Sequence, residues 1–152
     1  MTNGIIFKVI DHGSAEYKVA IDLRYRILRK LLGFFFSPED LEKEQNYVQI
    51  IGLMGSNVVA TAMLVPEGAS CRMRMVAVEK VQRDQCVGSK MMVFCEAQAH
   101  ALGFQSIYCH ARDSAAAFYL RNGYVLEGDY FTENTIAHVK MRKSIGLKQY
   151  FF

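Results

Sequence analysis

The stretch that decides the fold is Arg72-Met-Arg-Met-Val-Ala-Val-Glu-Lys-Val-Gln-Arg-Asp-Gln-Cys-Val-Gly-Ser-Lys90. Its first part, Met73 to Val78, is apolar and partly β-branched, which predicts a strand. Its second part, Gln82 to Gly88, is polar and predicts a short loop. A helix follows at once, because apolar residues recur every three or four positions, at Val87, Met91, Cys95, Ala99 and Leu102. This order leaves free backbone N–H groups at the helix start, which suits an anion such as pyrophosphate.

Two motifs carry a resemblance to a known family. Arg83-Asp84-Gln85-Cys86-Val87-Gly88 resembles the Arg/Gln-x-x-Gly-x-Gly/Ala signature of the GNAT superfamily of N-acetyltransferases, and Ala-x-x-Phe-Tyr-x-x-x-Gly-Tyr follows at Ala115–Tyr124. The resemblance covers nearly the whole chain. The sequence departs from the signature at Cys86, where the family usually has glycine. Cysteine is tolerable there if its φ is negative, whereas a positive φ would store about 1–3 kcal/mol of strain.

Composition indicates one globular domain over residues 1–152, with 144–152 as a tail. Of the 152 residues, 51% are hydrophobic, so the chain can bury a core and is not disordered. The net charge is only +3 and the sequence contains no Lys/Arg run. Both observations argue against nucleic acid as a partner. No apolar run approaches transmembrane length, and Lys8 and Asp11 interrupt the first apolar segment. We therefore expect no membrane span and no signal peptide.

The four cysteines predict no bridge and no metal site. They show no Cys-x-x-Cys spacing and are Cys71, Cys86, Cys95 and Cys109. We expect reduced thiols in a cytoplasmic protein.

The first third of the chain predicts a strand and two helices. Residues 4–10 form the strand, and Ser14 caps a helix that ends at Gly33. The apolar stripe of that helix is Tyr17, Ile21, Tyr25, Leu28 and Leu32. Basic residues lie mostly off the stripe, which favours a solvated face over substrate contact; they are Arg24, Arg26, Arg29 and Lys30.

The loop and helix that come next leave two interpretations open. Phe34-Phe35-Phe36 either fills the core or forms a hydrophobic wall over an acceptor site. Ser37-Pro38 predicts a helix start. The acidic residues around it form either a solvated face or a cluster that attracts a cationic amine, and they are Glu39, Asp40, Glu42 and Glu44.

The rest of the chain predicts a mixed α/β fold with a twisted sheet of about six or seven strands and helices on both faces. The further strands are Tyr47–Met54, Asn57–Val65, Cys71–Val78, Gln105–Ala111, Tyr124–Gly128 and Thr135–Lys143. Pro66-Glu67-Gly68 predicts a turn, and Gly103 ends the signature helix. The strand–helix–strand unit implies a parallel crossover. Asp113 or Ser114 caps a helix over Ala115–Arg121, which closes at Asn122-Gly123.

The resemblance implies a cofactor and a reaction. It implies that the protein transfers an acetyl group from acetyl-CoA to a primary amine of a small molecule or a peptide. In the family the pantetheine arm pairs with the central strand, here Val76, Ala77 and Val78. That pairing requires neighbouring strands to splay apart, and a β-bulge helps to produce the splay. The pyrophosphate would meet the N–H groups of Arg83, Asp84, Gln85, Cys86, Val87, Gly88 and Ser89.

The resemblance also implies an oxyanion donor and a general acid. The Val76 N–H would face the thioester carbonyl, although ordinary sheet pairing explains this residue equally well. Tyr119 would protonate the departing thiolate, whereas an isolated tyrosine on such a helix would be a core residue. Phe118 would pack against the helix or the cofactor. Arg112 and Arg121 either contact CoA phosphates or are solvated.

The general base stays open in the sequence. Some members of the family carry a glutamate on the fourth strand, and the corresponding residue here is Arg72. The substitutes are Glu44, Glu79, His110 and His138, and histidine has a suitable pKa for taking a proton from an ammonium through water.

Two other classes of function compete with an enzyme. A catalytically silent acyl-CoA-binding sensor would use the same pocket, and Arg72 and Cys86 favour it while Tyr119 opposes it. A nucleotide-binding loop is a poor alternative, because the chain has neither Gly-x-Gly-x-x-Gly nor Gly-Lys-Ser/Thr. The terminal Tyr150-Phe151-Phe152 could pack on the body of the protein or on a second copy in a homodimer.

Overall fold

The computed structural model describes residues 4–29, 37–80 and 86–146. The strands are β1 (Ile5–Ile10), β2 (Val48–Met54), β3 (Asn57–Glu67), β4 (Ser70–Val78), β5 (Ser106–Arg112), β6 (Val125–Glu133) and β7 (Ile136–Ser144). The α-helices are α1 (Ala15–Arg24), α2 (Pro38–Lys43), α3 (Val87–Ala101) and α4 (Ala116–Arg121). The strands form one seven-stranded sheet in the order β1-β2-β3-β4-β5-β7-β6. The predicted mixed α/β fold is confirmed.

The chain forms two compact units. The first unit contains residues 1–65 and 75–95, and the second contains residues 66–74 and 96–152.

In the first unit, β2 pairs antiparallel with both β1 and β3. Ile10 and Ile51 from these strands pack with Tyr17 and Ala20 of α1 in a buried cluster. Both predicted N-caps of this unit are confirmed. The Ser14 hydroxyl accepts the Tyr17 N–H, and the Ser37 hydroxyl accepts the Asp40 N–H.

The apolar stripe predicted along the first helix is confirmed in part, because Ile21 packs against the buried cluster and Tyr25 and Leu28 are half-buried. The α-helix ends at Arg24, and residues Tyr25–Arg29 continue it as a π-helix, whose wider turn changes which side chains face the core. The buried residues of α1 are Tyr17, Ala20, Leu23 and Arg24. The predicted positions Leu32 and Gly33, together with Lys30 and Phe34-Phe35-Phe36, lie outside the described residues.

Arg24 is not on a solvated basic face, because it is only 2% exposed. Its Nη1 and Nη2 donate to Oε1 and Oε2 of Glu44, each at 2.7 Å. Tyr17 Oη also donates to Glu44 Oε1 at 2.9 Å. Glu44 is therefore buried too, whereas Glu39, Asp40 and Glu42 of the predicted acidic cluster are exposed.

In the second unit, the first residues of β4 pair in parallel with β5, from Ser70 opposite Ser106 to Arg72 opposite Tyr108. The predicted parallel crossover is thus confirmed. β5 pairs antiparallel with β7, and β7 with β6. The turn between β6 and β7 has positive φ at both Asn134 and Thr135, which is the pattern of a two-residue type I′ hairpin turn.

Three boundaries in the second unit differ from prediction. Pro66 and Glu67 belong to β3, because the turn comes at Gly68 and Ala69. β6 does not end at Gly128, where the φ is +85° and the register shifts, so a bulge carries the strand on to Glu133. A short 3-10 turn over Asp113–Ala115 precedes α4, and neither Asp113 nor Ser114 caps this helix through its side chain.

Two non-glycine residues near the signature have left-handed backbone. Met75 within β4 has φ +55°, and Cys86 before α3 has φ +59°. The Cys86 carbonyl accepts the Lys90 N–H at 3.1 Å, so this strained residue begins the helix. Cys86 thus has the positive φ that the sequence analysis associated with strain of about 1–3 kcal/mol.

Three further findings apply to residues 4–29, 37–80 and 86–146. All four cysteines are free thiols. This part of the chain contains no helix long and apolar enough to cross a membrane. It also contains no cluster of three metal-ligating side chains.

The Glu44→Gln substitution tests the buried ion pair. It leaves the Arg24 guanidinium buried without its counter-charge, so we expect the free energy of unfolding to fall by about 3–5 kcal/mol. Asp22→Asn is the matched control, because Asp22 pairs with Arg26 at an exposed site and should cost less than about 1 kcal/mol. Urea denaturation measures both. Equal losses in the two variants would contradict a stabilising role for the buried pair.

The Cys86→Gly substitution tests the strain at the start of α3. Glycine adopts positive φ without a Cβ clash, so we expect it to stabilise the protein by about 1 kcal/mol. Cys86→Ala removes the thiol but keeps the Cβ, and it should change stability little. The two variants are compared by urea denaturation in the absence of ligand. An alanine variant as stable as the glycine variant would mean that the backbone stores no strain there.

Candidate functional site

The end of β4 contains the residues expected to pair with the pantetheine arm. Left-handed Met75 interrupts the extended backbone just before Val76, Ala77 and Val78. The Thr61 hydroxyl, which is buried, donates to the Met75 carbonyl at 2.9 Å and holds this interruption in place. A left-handed residue inside a strand is the kind of break that a β-bulge introduces. Ala77 is buried, and Val76 and Val78 are half-buried.

The start of α3 contains the second half of the signature. Val87 is fully buried, while Gly88 and Ser89 are half-buried in the first turn of this 15-residue helix. The first turn contains no acidic residue. Among the described residues, the N–H groups at this end therefore share their helical turn with no carboxylate, which leaves the positive end of the helix dipole uncompensated within that turn. Arg83, Asp84 and Gln85, also predicted to bind pyrophosphate, lie outside the described residues.

Tyr119 lies on α4 in the second unit and is 6% exposed. Its ring makes edge-on contacts with Phe118, at a centroid distance of 5.1 Å, and with Tyr124, at 5.4 Å. Its side chain also hydrogen-bonds the Cys109 side chain. Burial raises the pKa of the Cys109 thiol to about 12, although the Tyr119 hydrogen bond acts in the opposite direction. Cys109 is therefore a neutral thiol at physiological pH.

Tyr124, which contacts the Tyr119 ring, is itself held by Glu96. Tyr124 Oη donates to Glu96 Oε2 and Lys143 Nζ donates to Glu96 Oε1, both at 2.9 Å. Burial, followed by the Glu96 charge, raises the pKa of Tyr124. Lys143 Nζ also donates to the Asn122 carbonyl at the end of α4. These contacts fix the helix that presents Tyr119.

A cluster of titratable side chains from β4, β5, β6 and β7 lies in the second unit. The His110 Nδ1 atom lies 2.9 Å from Arg72 Nη2 and 3.2 Å from Glu133 Oε2. Glu133 Oε1 lies 3.8 Å from His138 Nε2. The other ring nitrogen of His138, Nδ1, lies 2.8 Å from the Ile136 carbonyl oxygen. We call Arg72, His110, Glu133 and His138 the histidine cluster.

The charges in the histidine cluster shift its acid–base equilibria. Burial and then the Arg72 charge lower the pKa of His110, against the opposing effect of Glu133. For Glu133, burial acts to raise the pKa, but hydrogen bonding to His110 and the nearby positive charges lower it overall. Glu133 is therefore an anion and His110 a neutral imidazole at neutral pH.

A second group of charges beside the histidine cluster is fully paired. Tyr108 Oη donates to Glu67 Oε1 at 2.5 Å, and Lys140 and Arg142 lie over the Tyr108 ring. Arg142 also donates to Glu127 and to the Ser70 and Ser106 hydroxyls. Burial, with Glu67, raises the pKa of Tyr108 to about 12. The polar atoms of this second group bind one another, which indicates a structural role.

The four candidate bases differ in the hydrogen bonds that their side chains already make. Glu44 accepts two guanidinium bonds and a tyrosine hydroxyl. Glu79 contacts Arg26 through two longer bonds of 3.3 and 3.4 Å. His110 and His138 both belong to the histidine cluster. Sequence reasoning missed Glu133, because the bulge at Gly128, which carries β6 beyond its predicted end, leaves no pattern in the apolar residues.

The remaining predicted side chains differ in their exposure. Phe118 is half-buried, Arg121 is exposed, and Arg112 is half-buried at the end of β5. A cavity of about 680 Å³ opens at the opposite end of β5, beside Ser70, Ser106, His100 and Arg142. None of the predicted site residues lines it.

The chain matches known proteins in sequence and in fold. The family model described as "Acetyltransferase (GNAT) domain" matches residues 21–145. Among solved structures, a candidate N-acetyltransferase from Lactobacillus plantarum superposes with a TM-score of 0.83 at 20% identity, over 94% of this chain and 99% of that one. An aminoglycoside 6′-N-acetyltransferase complexed with coenzyme A gives 0.78 at 15% identity, over 92% and 97%. The ribosomal-protein-S18-alanine N-acetyltransferase of Escherichia coli gives 0.76 at 14% identity, over 94% and 95%. The chain belongs to the GNAT acetyltransferase family.

Proposed function

We propose that the protein is an acetyl-CoA-dependent N-acetyltransferase that transfers the acetyl group directly to a primary amine. The observation that carries this proposal is the left-handed backbone at Met75 within β4, followed by a helix whose first turn contains no acidic residue. Both features appear where the family's signature lies in the sequence, and an N-terminus of this kind binds phosphate through its N–H groups. Acetyl-CoA supplies the activated acyl group when it is bound.

The cofactor would be held by backbone more than by side chains. In this proposal Val76, Ala77 and Val78 pair with the pantetheine arm, and the Val76 N–H stabilises the oxyanion. The pyrophosphate binds at Cys86, Val87, Gly88 and Ser89, with Arg83, Asp84 and Gln85 completing the loop. Arg121 is exposed and could contact a phosphate. The lack of acidic residues in the first turn of α3 supports this assignment.

Tyr119 is the proposed proton donor to the departing thiolate of CoA. A phenol can do this without a shifted pKa, because a thiolate accepts a proton readily. The contacts of Tyr119 support a fixed position for its hydroxyl. Phe118 and Tyr124 pack against the Tyr119 ring, and the Tyr119 side chain forms a hydrogen bond with the Cys109 side chain. A silent acyl-CoA sensor is the second candidate, favoured by Arg72, which stands where some relatives have a glutamate.

The acceptor class is proposed only as a primary amine. The two named structural relatives act on an aminoglycoside and on the alanine of a ribosomal protein. A first screen should therefore contain amino sugars, peptides with a free N-terminus, polyamines and amino acids. Release of the CoA thiol reports transfer to any of them.

Binding of the cofactor is tested by thermal shift. We expect acetyl-CoA to raise the melting temperature, because a ligand that binds only the folded state stabilises it, whereas equal acetate should not. Gly88→Glu should abolish the shift by placing bulk and negative charge at the pyrophosphate site. Arg83→Ala should weaken CoA but leave pantetheine, which lacks the pyrophosphate, nearly unaltered. The absence of any shift at millimolar CoA would contradict the proposed function.

The Tyr119→Phe substitution separates an enzyme from a sensor. It keeps the ring and its packing and removes only the hydroxyl, so turnover should fall about 10²–10⁴-fold while acetyl-CoA affinity stays nearly constant. Tyr130→Phe, at an exposed position of β6, is the matched control and should keep full activity. Full activity in a folded Tyr119→Phe variant would remove Tyr119 from the mechanism. A native protein that binds CoA but acetylates nothing in the screen would be a sensor.

A further inference from the structure

The Nδ1 atom of His110 faces two partners that require opposite protonation states. Arg72 Nη2, at 2.9 Å, can only donate a hydrogen bond, so it requires a lone pair on Nδ1. Glu133 Oε2, at 3.2 Å, can only accept when ionised, so it requires a proton on Nδ1. A neutral imidazole carries one proton, and it can satisfy only one of these partners at a time.

The choice at Nδ1 decides which ring nitrogen can act as a base. If Arg72 donates to Nδ1, the ring proton is on Nε2 and the imidazole has no free lone pair. If Nδ1 donates to Glu133, the lone pair is on Nε2, which can then accept a proton. The second state has the usual arrangement of a histidine base oriented by a carboxylate.

Charged groups on every neighbouring strand act on His110. Arg72 approaches from β4 and Glu133 from β6. On β7, Lys140 is the register partner of His110, and His138 lies near the second Glu133 oxygen. On β5 itself, the Tyr108 ring centroid lies 6.1 Å from that of His110, and Tyr108 is held by Glu67. Burial and then the Arg72 charge hold the pKa of His110 below its usual value, against the opposing effect of Glu133.

We propose that His110 accepts the proton of the acceptor ammonium at Nε2, and that Arg72 and Glu133 control this by competing for Nδ1. This inference rests on the proposed function, because it needs an amine acceptor. His110 is the base in this scheme, and Arg72 and Glu133 are positioning residues. Arg72 thus replaces the missing fourth-strand carboxylate with the opposite charge, while Glu133 supplies a carboxylate from β6.

The proton balance of the reaction is complete with these groups. The ammonium loses one proton to His110 through water, and the neutral nitrogen attacks the thioester carbon. A C–N bond forms, the C–S bond breaks, and the thiolate takes the Tyr119 hydroxyl proton. The nitrogen loses its second proton as the amide forms, and this proton restores Tyr119. His110 then releases its proton to solvent, so one proton is released in each turnover.

The first test is the loss of the base and its replacement. His110→Ala should lower kcat/KM about 10²–10⁴-fold at neutral pH, and added imidazole should restore part of the activity. His138→Asn is the matched control, because the asparagine amide can still donate to the Ile136 carbonyl. It should keep the acid limb of the pH–rate profile. A His110→Ala variant with normal activity, or loss of the acid limb in His138→Asn alone, would overturn the proposal.

The second test measures the competition at Nδ1. Arg72→Met removes a nearby cation and should move the acid limb to higher pH, because protonated His110 becomes easier to form. Glu133→Gln removes an anion and should move the limb to lower pH. A purely structural role for either residue would lower activity without moving the limb, and that result would overturn the assigned roles.

A third measurement does not depend on activity. The His110 ring-proton signal, followed by NMR through a pH titration without substrate, should shift its midpoint upward in Arg72→Met and downward in Glu133→Gln. If native protein acetylates nothing while these midpoints move as expected, the proposed function fails but the competition stands. If activity is present and the midpoints stay unchanged, the competition at Nδ1 is refuted.

Discussion

The left-handed backbone of Met75 is the constraint on which the candidate cofactor site depends. An ordinary strand residue would continue the extended backbone of β4, and the buried Thr61 hydroxyl instead holds a break through its bond to the Met75 carbonyl. A non-glycine residue in this conformation costs about 1–3 kcal/mol and persists only where its surroundings enforce it. Cys86, just before α3, is a second non-glycine residue with left-handed backbone. Met75 lies before the segment that carries the family signature, and Cys86 lies within it.

The paired charges of the two units are of two kinds. Arg24 with Glu44, which are buried, and Glu96 with Lys143 and Tyr124, whose two charges are half-buried, are groups in which the partners bind one another. Such groups hold helices in place, and removing one partner of the buried pair would leave a buried charge alone. The histidine cluster differs, because Arg72 and Glu133 make conflicting demands on one nitrogen. A conflict of this kind contributes little to rigidity, but it makes the imidazole sensitive to small changes in its surroundings.

The sequence was sufficient wherever a local pattern determined the structure. The start of α3, the caps at Ser14 and Ser37 and the parallel pairing of β4 with β5 follow from side-chain spacing and cap chemistry, and all are confirmed. Arg24 could not be predicted, because its burial depends on a carboxylate twenty residues away that no periodicity connects to it. The end of β6 was missed because a bulge at Gly128 changes the register without changing the alternation of residue types. Glu133 was lost with it, and so was the histidine cluster.

Arg72 stands where some members of the family carry a glutamate on the fourth strand, and its effect depends on its neighbours in the fold. Replacement of a carboxylate by a guanidinium on the fourth strand would, taken alone, argue that base catalysis has been lost. In the folded chain the guanidinium lies against His110, with the Glu133 carboxylate on the other side of the same nitrogen. In the proposed mechanism the acid–base function therefore depends on the balance between two opposite charges and no longer on one residue. Because a cation beside an imidazole favours its neutral form, Arg72 keeps His110 unprotonated at neutral pH, and in the proposed mechanism Nε2 accepts a proton when Nδ1 donates to Glu133.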